Sequence, residues 1–591
     1  MADNKNIAER LRQVHTLMLL AGENRFRAIA FDRAAQTIEG LSEPVDHYLE
    51  SGTLTDLKGI GSSIAEDIRL FSETGSMPVL EDLKERVPDG LIRWLDISGL
   101  GPKNIVKIHK ELGITEVEEL ADACRDGRVA ALPGLGEKSA EKILKSIEWL
   151  QQHSQRCLIS EAREVALPLL EVLKEAGGVQ QIEVAGSLRR WNETIGDVDL
   201  LVAADEVDNS AIFDRFTGHE MVVEVLGRGE TKSSIRTESG RQVDLRIVNP
   251  EQFPAALVYF TGSKEHNIVL RRRARERGMV LNEYGLFPAN QDGDADSSRP
   301  MELSSETELY RHLDLAWIPP ELREGRGEVE YFESHEEMPL VTPEEVRGVV
   351  HLHTTWSDGK QTVEQMARAS IERGYTYMGV TDHSRSAAYA GGLSIDEVKK
   401  QWDEIDRVIE KFSSEGIEFT IFKGIESDIL ADGSLDYPDD LLDGFDFVIA
   451  SIHHGMDMPR EKMMDRFRKA IEHPAVRMIG HPTGRLLLRR GESDLDMNQL
   501  IEWAAEHQTA IEINANPHRL DLDWRHGNKA LEAGLLTSIN PDAHNVEGID
   551  DILYGVMIAR KAKFDSSRIV NCLTAEEFRR WARGEEVEVK E

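Results

Sequence analysis

Two acidic residues set two positions apart constrain this chain more than any other feature. Asp197 and Asp199 lie in the run Gly-Asp-Val-Asp, and the apolar run Leu-Leu-Val follows them. This pattern predicts a strand, on which both carboxylates project from the same face. A third acid, Asp244, lies in another predicted strand at 242–248 and can join them from a neighbouring position. We therefore expect an α+β core around three converging carboxylates.

Three converging carboxylates favour a site for divalent cations, and hard oxygen ligands select Mg²⁺ or Mn²⁺. A pair of such ions can activate a hydroxyl and stabilise charge on a phosphoryl group during in-line displacement. The tetrapeptide alone is more typical of a turn followed by exposed acids. Upstream, however, the run Gly-Ser-Leu-Arg-Arg at 186–190 supplies a tight turn, a hydroxyl and a guanidinium that can bind triphosphate oxygens.

A short unit recurs three times in the first part of the chain, as LKGIGS at 57–62, ISGLGP at 97–102 and LPGLGE at 132–137. A Gly-apolar-Gly turn between helices leaves the first amides of the second helix free for a phosphate oxygen. One copy is usually a mere connection, but three with a shared apolar frame indicate helix-hairpin-helix modules that contact the DNA backbone without reading bases. The glycines expected to contact DNA are Gly59, Gly61, Gly99, Gly101, Gly134 and Gly136.

A histidine-rich set of candidate ligands begins near residue 350. Short apolar runs there end in or near HLH, TDH, GIES, SIH, GHP and PDAH, and amphipathic patterning separates them, which predicts a β/α barrel with its reactive face at the strand ends. Imidazole together with carboxylate favours Zn²⁺ or Mn²⁺. A lone histidine is usually structural, but nine ordered sites are not explained in that way. The nine candidates are His351, His353, Asp358, His383, Glu426, His453, His481, Asp542 and His544.

Length and cysteine content limit the class of protein. At 591 residues the chain exceeds what one hydrophobic core supports, so we expect several domains. The 3 cysteines form no CxxC pair, which excludes a thiolate zinc site and a disulfide framework and favours a reducing cytosol. The first apolar cluster, at 17–21, is too short for a membrane span, so we expect no membrane partner.

The charge of the chain opposes a nucleic-acid partner. The sequence has 107 acidic and 70 basic residues, a net charge of −37, whereas phosphate contacts require positive charge. Two hypotheses reconcile the negative charge with the predicted DNA-binding turns. Either the carboxylates are concentrated around divalent ions that screen them, or the acidic surface is an adaptation to a salty cytosol, such as that of a halophile, where charges interact over only a few ångströms.

The segment 186–199 resembles the nucleotidyltransferase palm, and specifically that of the family X DNA polymerases. The resemblance continues in YFTGS at 259–263 and LNEYGLF at 281–287, and it covers nearly the first 320 residues in order. It implies that Asp197, Asp199 and Asp244 are the catalytic metal ligands. The residues that it implies in nucleotide binding are Ser187, Arg190, Gly196, Tyr259, Phe260, Gly262 and Asn267, and Arg271 is implied to contact the template strand.

The order of the nine histidine-region candidates resembles the PHP (polymerase and histidinol phosphatase) domain, a distorted β/α barrel that binds up to three metals. Asp358 stands where some members have histidine, and the resemblance implies that Glu426 bridges two ions. Of the neighbours His453 and His454 we choose the first. Bacterial family X polymerases use this domain as a 3′→5′ exonuclease, and cleavage at abasic sites and removal of blocked 3′ ends are also attributed to it.

Together these features predict a multidomain chain with helical helix-hairpin-helix N-terminal domains, an α+β nucleotidyltransferase palm and thumb, and a C-terminal distorted β/α barrel. The expected boundaries are 1–85 for a lyase-like helical domain, 86–155 for fingers with two helix-hairpin-helix motifs, 156–249 for the palm, 250–318 for the thumb, 319–344 for a linker and 345–591 for the PHP domain.

The expected function is gap filling in DNA repair by a monomer of the bacterial cytoplasm, with gapped or primer-template DNA and dNTPs as partners and a metal-dependent nuclease in the barrel. Two alternatives remain open. The first is a small-molecule phosphatase or a template-free nucleotidyltransferase that carries DNA-binding hairpins. The second is a barrel that acts as a non-catalytic scaffold.

One departure from the family generates a prediction. The first helix-hairpin-helix of polymerase beta carries a lysine that forms a Schiff base during removal of a 5′-deoxyribose phosphate, and Asp67 occupies the matching position here. A carboxylate cannot form an imine. We predict that borohydride reduction in the presence of DNA with a 5′-deoxyribose phosphate traps no adduct on residues 1–85, while polymerase beta is trapped in parallel. An adduct mapped to that range would contradict the prediction.

Overall fold

The structure is a computed structural model of the 591-residue chain. It describes residues 4–39, 45–57, 59–97, 100–153, 156–205, 209–290, 295–296, 299–585 and 587. The chain divides into two compact units, Met1–Ser154 and Gln155–Glu591, and each is described by itself. Among the described residues, no helix combines the length and apolar character needed to cross a membrane.

The first unit is helical throughout its described residues. Its α-helices are α1 (Asn4–Leu20), α2 (Arg25–Glu39), α3 (Val45–Glu50), α4 (Ser62–Thr74), α5 (Pro78–Arg86), α6 (Asp89–Arg93), α7 (Pro102–Leu112), α8 (Val117–Arg125) and α9 (Glu137–His153). In α4, Ile64, Ile68 and Phe71 recur at helical spacing and are buried in a core shared by the whole unit. The helix ends at Gly75, whose left-handed φ of 73° lets its amide bond the Phe71 carbonyl.

The second unit begins with a five-stranded mixed sheet. The strands up to residue 288 are β1 (Cys157–Leu158), β2 (Val179–Val184), β3 (Thr194–Ile195), β4 (Val198–Ala204), β5 (Val222–Arg228), β6 (Lys232–Thr237), β7 (Gln242–Val248), β8 (Met279–Asn282) and β9 (Gly285–Pro288). The main sheet has the order β2-β4-β7-β6-β5, with β4 and β7 parallel and the other pairs antiparallel. The α+β core and its strands at 198–202 and 242–248 are confirmed.

Helices cover this sheet and form a separate core after it. They are α10 (Ile159–Lys174), α11 (Gly186–Arg189), α12 (Asn209–Thr217), α13 (Phe253–Thr261), α14 (Lys264–Glu276), α15 (Glu306–His312) and α16 (Glu328–Phe332). Leu270, Leu309 and Val329 are buried in one cluster, so part of the segment 319–344, assigned above to a linker, packs with the thumb. The polar run at 291–298, whose composition predicts a surface loop, lies mostly outside the described residues.

The rest of the unit is a β/α barrel of seven parallel strands in chain order. The strands are β10 (Gly348–Leu352), β11 (Tyr377–Val380), β12 (Thr420–Asp428), β13 (Phe447–Ser451), β14 (Val476–Ile479), β15 (Ala510–Asn514) and β16 (Thr537–Asn540). The helices are α17 (Val363–Glu372), α18 (Ile395–Glu415), α19 (Asp439–Leu442), α20 (Arg460–Ile471), α21 (Met497–Glu506), α22 (Gly527–Ala533), α23 (Ile552–Lys561) and α24 (Ala575–Ala582). The expected distorted barrel is confirmed.

A buried asparagine bridges the seam between the first and last barrel strands. Asn571 Nδ2 donates to the carbonyls of Gly348 on β10, at 3.1 Å, and Ile539 on β16, at 2.8 Å. Its Oδ1 accepts from the Ile539 amide at 2.8 Å. At the opposite end of β10, the His353 amide donates to the Ala543 carbonyl at 2.9 Å. These contacts join the two strands at the position where an eight-stranded barrel would have its further strand.

Loss of the Asn571 amide is predicted to destabilise the barrel. The substitution Asn571→Ala leaves buried backbone groups of β10 and β16 unpaired, and each costs about 1–3 kcal/mol. We expect the free energy of unfolding to fall by about 3 kcal/mol, measured by urea unfolding followed by tryptophan fluorescence. Asn528→Ala, at an exposed position on α22, is the control. Equal stability of the two variants would contradict this account of the seam.

Candidate active sites

The three predicted palm carboxylates converge. Asp199 on β4 is the direct register partner of Asp244 on β7, and Asp197 immediately precedes β4. One oxygen of each lies within 4.8 Å of the others. The preceding turn passes so close to Asp199 that a Cβ on Gly186 would lie 2.4 Å from Asp199 Oδ2, and Gly186 has a left-handed φ of 60°. Glycine is therefore required at that turn.

The electrostatics of these acids fit divalent cations. Burial, together with the charges of Asp197 and Asp244, raises the pKa of Asp199 to about 7. Burial alone would also raise the pKa of Asp244, but hydrogen bonds, first of all from the Lys232 ammonium 2.6 Å away, lower it. Since like charges held this close disfavour ionisation, a bound cation would stabilise the ionised set. Lys232 has no signature in the sequence and was not anticipated.

The residues predicted to bind nucleotide lie around three turns. Ser187 is on α11 and Arg190 follows that helix, Gly196 separates β3 from Asp197, and the others, Tyr259, Phe260, Gly262 and Asn267, lie in or between α13 and α14.

Several of these side chains already have partners within the protein. Arg190 Nε donates to Glu324 at 3.1 Å and its Nη1 donates to the Thr261 carbonyl. Asn267 Nδ2 donates to the Tyr259 carbonyl at 2.7 Å. These contacts connect the α11 turn to the α13–α14 junction.

The nine histidine-region candidates are all brought together at the carboxyl ends of the barrel strands. They form four overlapping groups, in each of which the ligand atoms lie within 4.8 Å of one another. The groups are His353, Asp358, His383 and His544; His351, His353 and Glu426; His351, His481 and Asp542; and His383, Glu426 and His453.

Glu426 lies at the centre of these groups. Its Oε2 is 2.9 Å from His383 Nδ1 and its Oε1 is 3.0 Å from His481 Nε2. The Nε2 of His453 is 3.3 Å from the same Oε1. The side chain of His454, by contrast, is 59% exposed and approaches Asp428. The geometry thus supports both the bridging position of Glu426 and the choice of the first histidine of the pair.

Unpaired buried atoms show that this cluster fits metal ions. Among the described residues, His351 Nε2, both ring nitrogens of His353, His383 Nδ1, His481 Nδ1 and Glu426 Oε2 are buried without a hydrogen-bond partner. The approach of His383 Nδ1 to Glu426 Oε2 at 2.9 Å lacks the geometry of a hydrogen bond. Such atoms are rare in folded proteins unless a ligand satisfies them. Burial, with the neighbouring rings of His544 and His383, lowers the pKa of His353 to about 3, which keeps it in the neutral form that binds metal.

Two further carboxylates, which were not predicted from the sequence, form hydrogen bonds with the ligand histidines. Glu512 Oε1 lies 2.5 Å from His351 Nδ1, and its Oε2 accepts from the His481 amide at 2.6 Å. Asp428 Oδ1 lies 2.5 Å from His453 Nδ1. Such contacts fix the ring orientation and tautomer of a metal-binding histidine. A usable signal was present, because Glu512 interrupts the apolar strand β15 and Asp428 lies two residues from Glu426 on β12.

A cationic and an aromatic side chain lie beside the cluster, and neither was anticipated. Arg519 Nε is 3.6 Å from Asp542 Oδ2, and its Nη1 is buried without a partner among the described residues. Tyr389 is 66% exposed, and its ring centroid is 6.3 Å from those of both His383 and His453. A guanidinium and an exposed aromatic ring suit a phosphate and a base, respectively.

In the helical unit, the Gly-apolar-Gly turns leave helix N-termini open. Gly61 and Gly101 cap α4 and α7 without a side-chain hydrogen bond, and Gly136 precedes α9. A Cβ added at any of the three would meet nothing within 4 Å. Gly59 and Gly134 have left-handed φ values of 91° and 79°. Gly99 lies outside the described residues, and Arg271 is exposed on α14 in the second unit.

Comparison with known proteins decides the family. Family models match for a helix-hairpin-helix domain at 2–77, a SAM-like helix-hairpin-helix tandem at 92–148, the DNA polymerase beta thumb at 256–324 and the PHP domain at 350–516. The chain is 39% identical over 569 residues to the DNA polymerase/3′-5′ exonuclease PolX of Bacillus subtilis, covering 96% of this chain and 97% of that protein. The chain belongs to the bacterial family X DNA polymerases with a C-terminal PHP domain.

Two further relatives match parts of this family X chain. DNA polymerase lambda of Arabidopsis thaliana is 23% identical over 348 residues, which are 54% of this chain and 62% of that protein. A probable phosphatase of Caldanaerobacter subterraneus is 29% identical over 208 residues, 33% of this chain and 74% of that protein. Both polymerase and PHP families depend on divalent metals, in agreement with the two ligand clusters.

Neutralising Glu512 is predicted to weaken metal binding at the PHP cluster. Glu512→Gln preserves the size of the side chain but removes the charge that orients His351. Loss of such a contact typically lowers metal affinity by roughly 10–100-fold. Competition with a fluorescent chelator measures the affinity for Zn²⁺ and Mn²⁺. Glu502→Gln, at a surface residue of α21 that pairs with Lys529, is the matched control. Affinities equal to that of the control would show that Glu512 does not act on the metal ligands.

Proposed function

We propose that this polymerase fills gaps during DNA repair by template-directed nucleotidyl transfer at the palm, and that it removes nucleotides from 3′ ends at the PHP cluster. The observation that carries the proposal is the presence, in one chain, of two separate ligand clusters. The palm cluster contains only carboxylates, and the barrel cluster combines histidines with acids. This difference in donors suits phosphoryl transfer with Mg²⁺ or Mn²⁺ at the first and phosphodiester hydrolysis with Zn²⁺ or Mn²⁺ at the second.

At the palm, Asp197, Asp199 and Asp244 would hold two Mg²⁺ or Mn²⁺ ions, which supply charge stabilisation for the transferred phosphoryl group. The side chains around them position the substrates. Ser187 and Arg190 donate hydrogen bonds to triphosphate oxygens, and Gly196 allows close approach of the backbone. Tyr259, Phe260 and Gly262 lie under the sugar and disfavour a ribose hydroxyl, Asn267 reaches the base, and Arg271 contacts the template.

At the barrel, the nine ligands would hold up to three ions, which supply Lewis-acid activation for cleavage of a phosphodiester. Glu512 and Asp428 keep the ligand histidines oriented. Arg519 donates to a phosphate oxygen of the strand end, and Tyr389 stacks on the terminal base. The same arrangement supports cleavage at abasic sites and removal of blocked 3′ ends, since both can proceed by hydrolysis of a phosphate ester.

The helical unit supports DNA as the substrate. Its open helix N-termini bind the phosphate backbone independently of sequence, which suits a duplex with a gap. The similarity to a probable phosphatase favours a second candidate activity, hydrolysis of a small phosphate monoester by the barrel. Release of phosphate from histidinol phosphate, compared with degradation of a primer, distinguishes the two. The proposed setting is the bacterial cytoplasm, with the protein acting as a monomer.

Two variants test the assignment of the activities to separate sites. Asp199→Ala removes the central palm ligand. Because a metal ligand is lost, gap filling is expected to fall by roughly a hundredfold or more, while primer degradation continues. The double variant His353→Ala with Glu426→Ala is expected to show the reverse pattern. Extension and degradation are measured on the same 5′-labelled gapped DNA.

The palm variant of the crossed design has a matched control. Asp205→Ala removes an acid that directly follows β4 and lies outside the palm cluster, and it should retain both activities. Loss of both activities in either active-site variant would refute two independent sites. Retention of degradation by the barrel variant would indicate that the barrel is a scaffold.

A further inference from the structure

Four of the five charged residues in the segment 320–328 form ion pairs with other parts of the second unit. The pairs are Glu321 with Arg560 of α23 at 2.7 Å, Arg323 with Glu306 of α15 at 2.8 Å, Glu324 with both Arg190 and Lys561, and Glu328 with His266 of α14 at 2.7 Å. This segment therefore contacts the palm, the thumb and the barrel at once. Of these four residues, Glu324 is the one that pairs both with the barrel and with a residue predicted to bind nucleotide.

Lys561, the last residue of barrel helix α23, makes an unusually complete set of contacts for a lysine. Its side chain is buried, and Nζ donates to Glu324 Oε1 at 2.6 Å, to the Arg190 carbonyl at 2.9 Å and to the Glu321 carbonyl at 3.3 Å. An ammonium has three donors, so each has an acceptor here. Burial of a charge is tolerated when it is paired and hydrogen-bonded in this way.

The same oxygen of Glu324 also accepts from Arg190. The Oε1 atom lies 2.6 Å from Lys561 Nζ and 3.1 Å from Arg190 Nε. Arg190 Nη1 is bound to the Thr261 carbonyl, so two of its three nitrogens are fixed within the protein. Nη2 has no protein partner among the described residues and is the nitrogen left for a phosphate oxygen. Without Lys561, Glu324 would lose the shorter of these two contacts, and the carboxylate that orients Arg190 would be held less firmly.

We propose that Lys561 is a positioning residue for the polymerase site, by which the PHP barrel orients the Arg190 guanidinium through Glu324 and so raises the affinity for the incoming nucleotide. The proposal rests on the nucleotide-binding role assigned to Arg190 under the proposed function. Lys561 itself lies in the barrel fold and is not one of the PHP ligands. The barrel thus contributes to nucleotide binding independently of its own metal cluster.

Arg560 provides the control that the proposal requires. It precedes Lys561 on the same helix and pairs with Glu321 of the same segment, but among the described residues it has no hydrogen bond or ion pair with Arg190 or Glu324. If these ion pairs only attach the barrel to the polymerase region, removing either cation should have the same effect. If Lys561 positions Arg190, only Lys561 should affect the nucleotide.

The test is steady-state incorporation of one dNTP into gapped DNA by the full-length protein. Lys561→Met and Glu324→Gln are each expected to raise KM for the dNTP about tenfold, with kcat changed less than about threefold, because the lost interaction acts on nucleotide binding. Arg560→Met should leave both constants within about twofold of the parent, and all three variants should retain primer degradation. In an Arg190→Ala background, adding Lys561→Met should raise KM no further.

The outcomes separate this inference from the function on which it rests. Unchanged KM in Arg190→Ala would refute the nucleotide role of Arg190 and the inference with it. A raised KM in Arg190→Ala, but not in Glu324→Gln, would refute the inference alone. An equal rise in Arg560→Met and Lys561→Met would assign these contacts to attachment of the barrel. Glu324→Gln preserves side-chain volume, so it keeps the test valid if Lys561→Met does not fold.

Discussion

The ends of parallel strands in this structure bring together groups that are unfavourable neighbours. In the palm they are carboxylates that repel one another, and in the barrel they are buried ring nitrogens that lack hydrogen-bond partners among the described residues. Asp199 and Asp244 face each other across β4 and β7, and Glu426 lies among five histidines at the mouth of the barrel. Neither arrangement is favourable by itself, because like charges and unpaired buried nitrogens both cost free energy. Divalent cations would remove both costs. The two clusters therefore follow the same principle, in which a sheet groups metal ligands at its strand ends, and they differ in the type of ligand.

Much of this was predictable because the signals are local. Side chains two positions apart on a strand project from the same face, which predicted that Asp197 and Asp199 lie together. The nine barrel candidates were predicted to meet because each follows or ends a strand of a β/α barrel. The contacts that orient these residues were not predictable. Glu512 is 161 positions from His351, and Lys561 is 237 positions from Glu324, so only the fold brings these pairs together. Lys232 is a surface-type residue whose place beside Asp244 follows from the β6–β7 pairing alone.

The segment between thumb and barrel shows how composition can mislead. Its acidic, proline-containing sequence is typical of a solvated connection, yet Arg323 and Glu328 are buried and each has an oppositely charged or histidine partner. Part of the net charge of −37 lies in buried carboxylates, among them Asp244, Glu426 and Asp542 of the two ligand clusters and Glu321 and Glu328 of this segment. Such carboxylates repel DNA phosphates less than exposed carboxylates would.

The central claim is that one chain holds two chemically distinct metal centres, and anomalous X-ray diffraction from crystals grown with Mn²⁺ tests it most directly. The account predicts anomalous density at roughly 2.0–2.6 Å from oxygens of Asp197, Asp199 and Asp244, and separate density for as many as three ions around Glu426. Density at only one of the two clusters, or at neither, would contradict it.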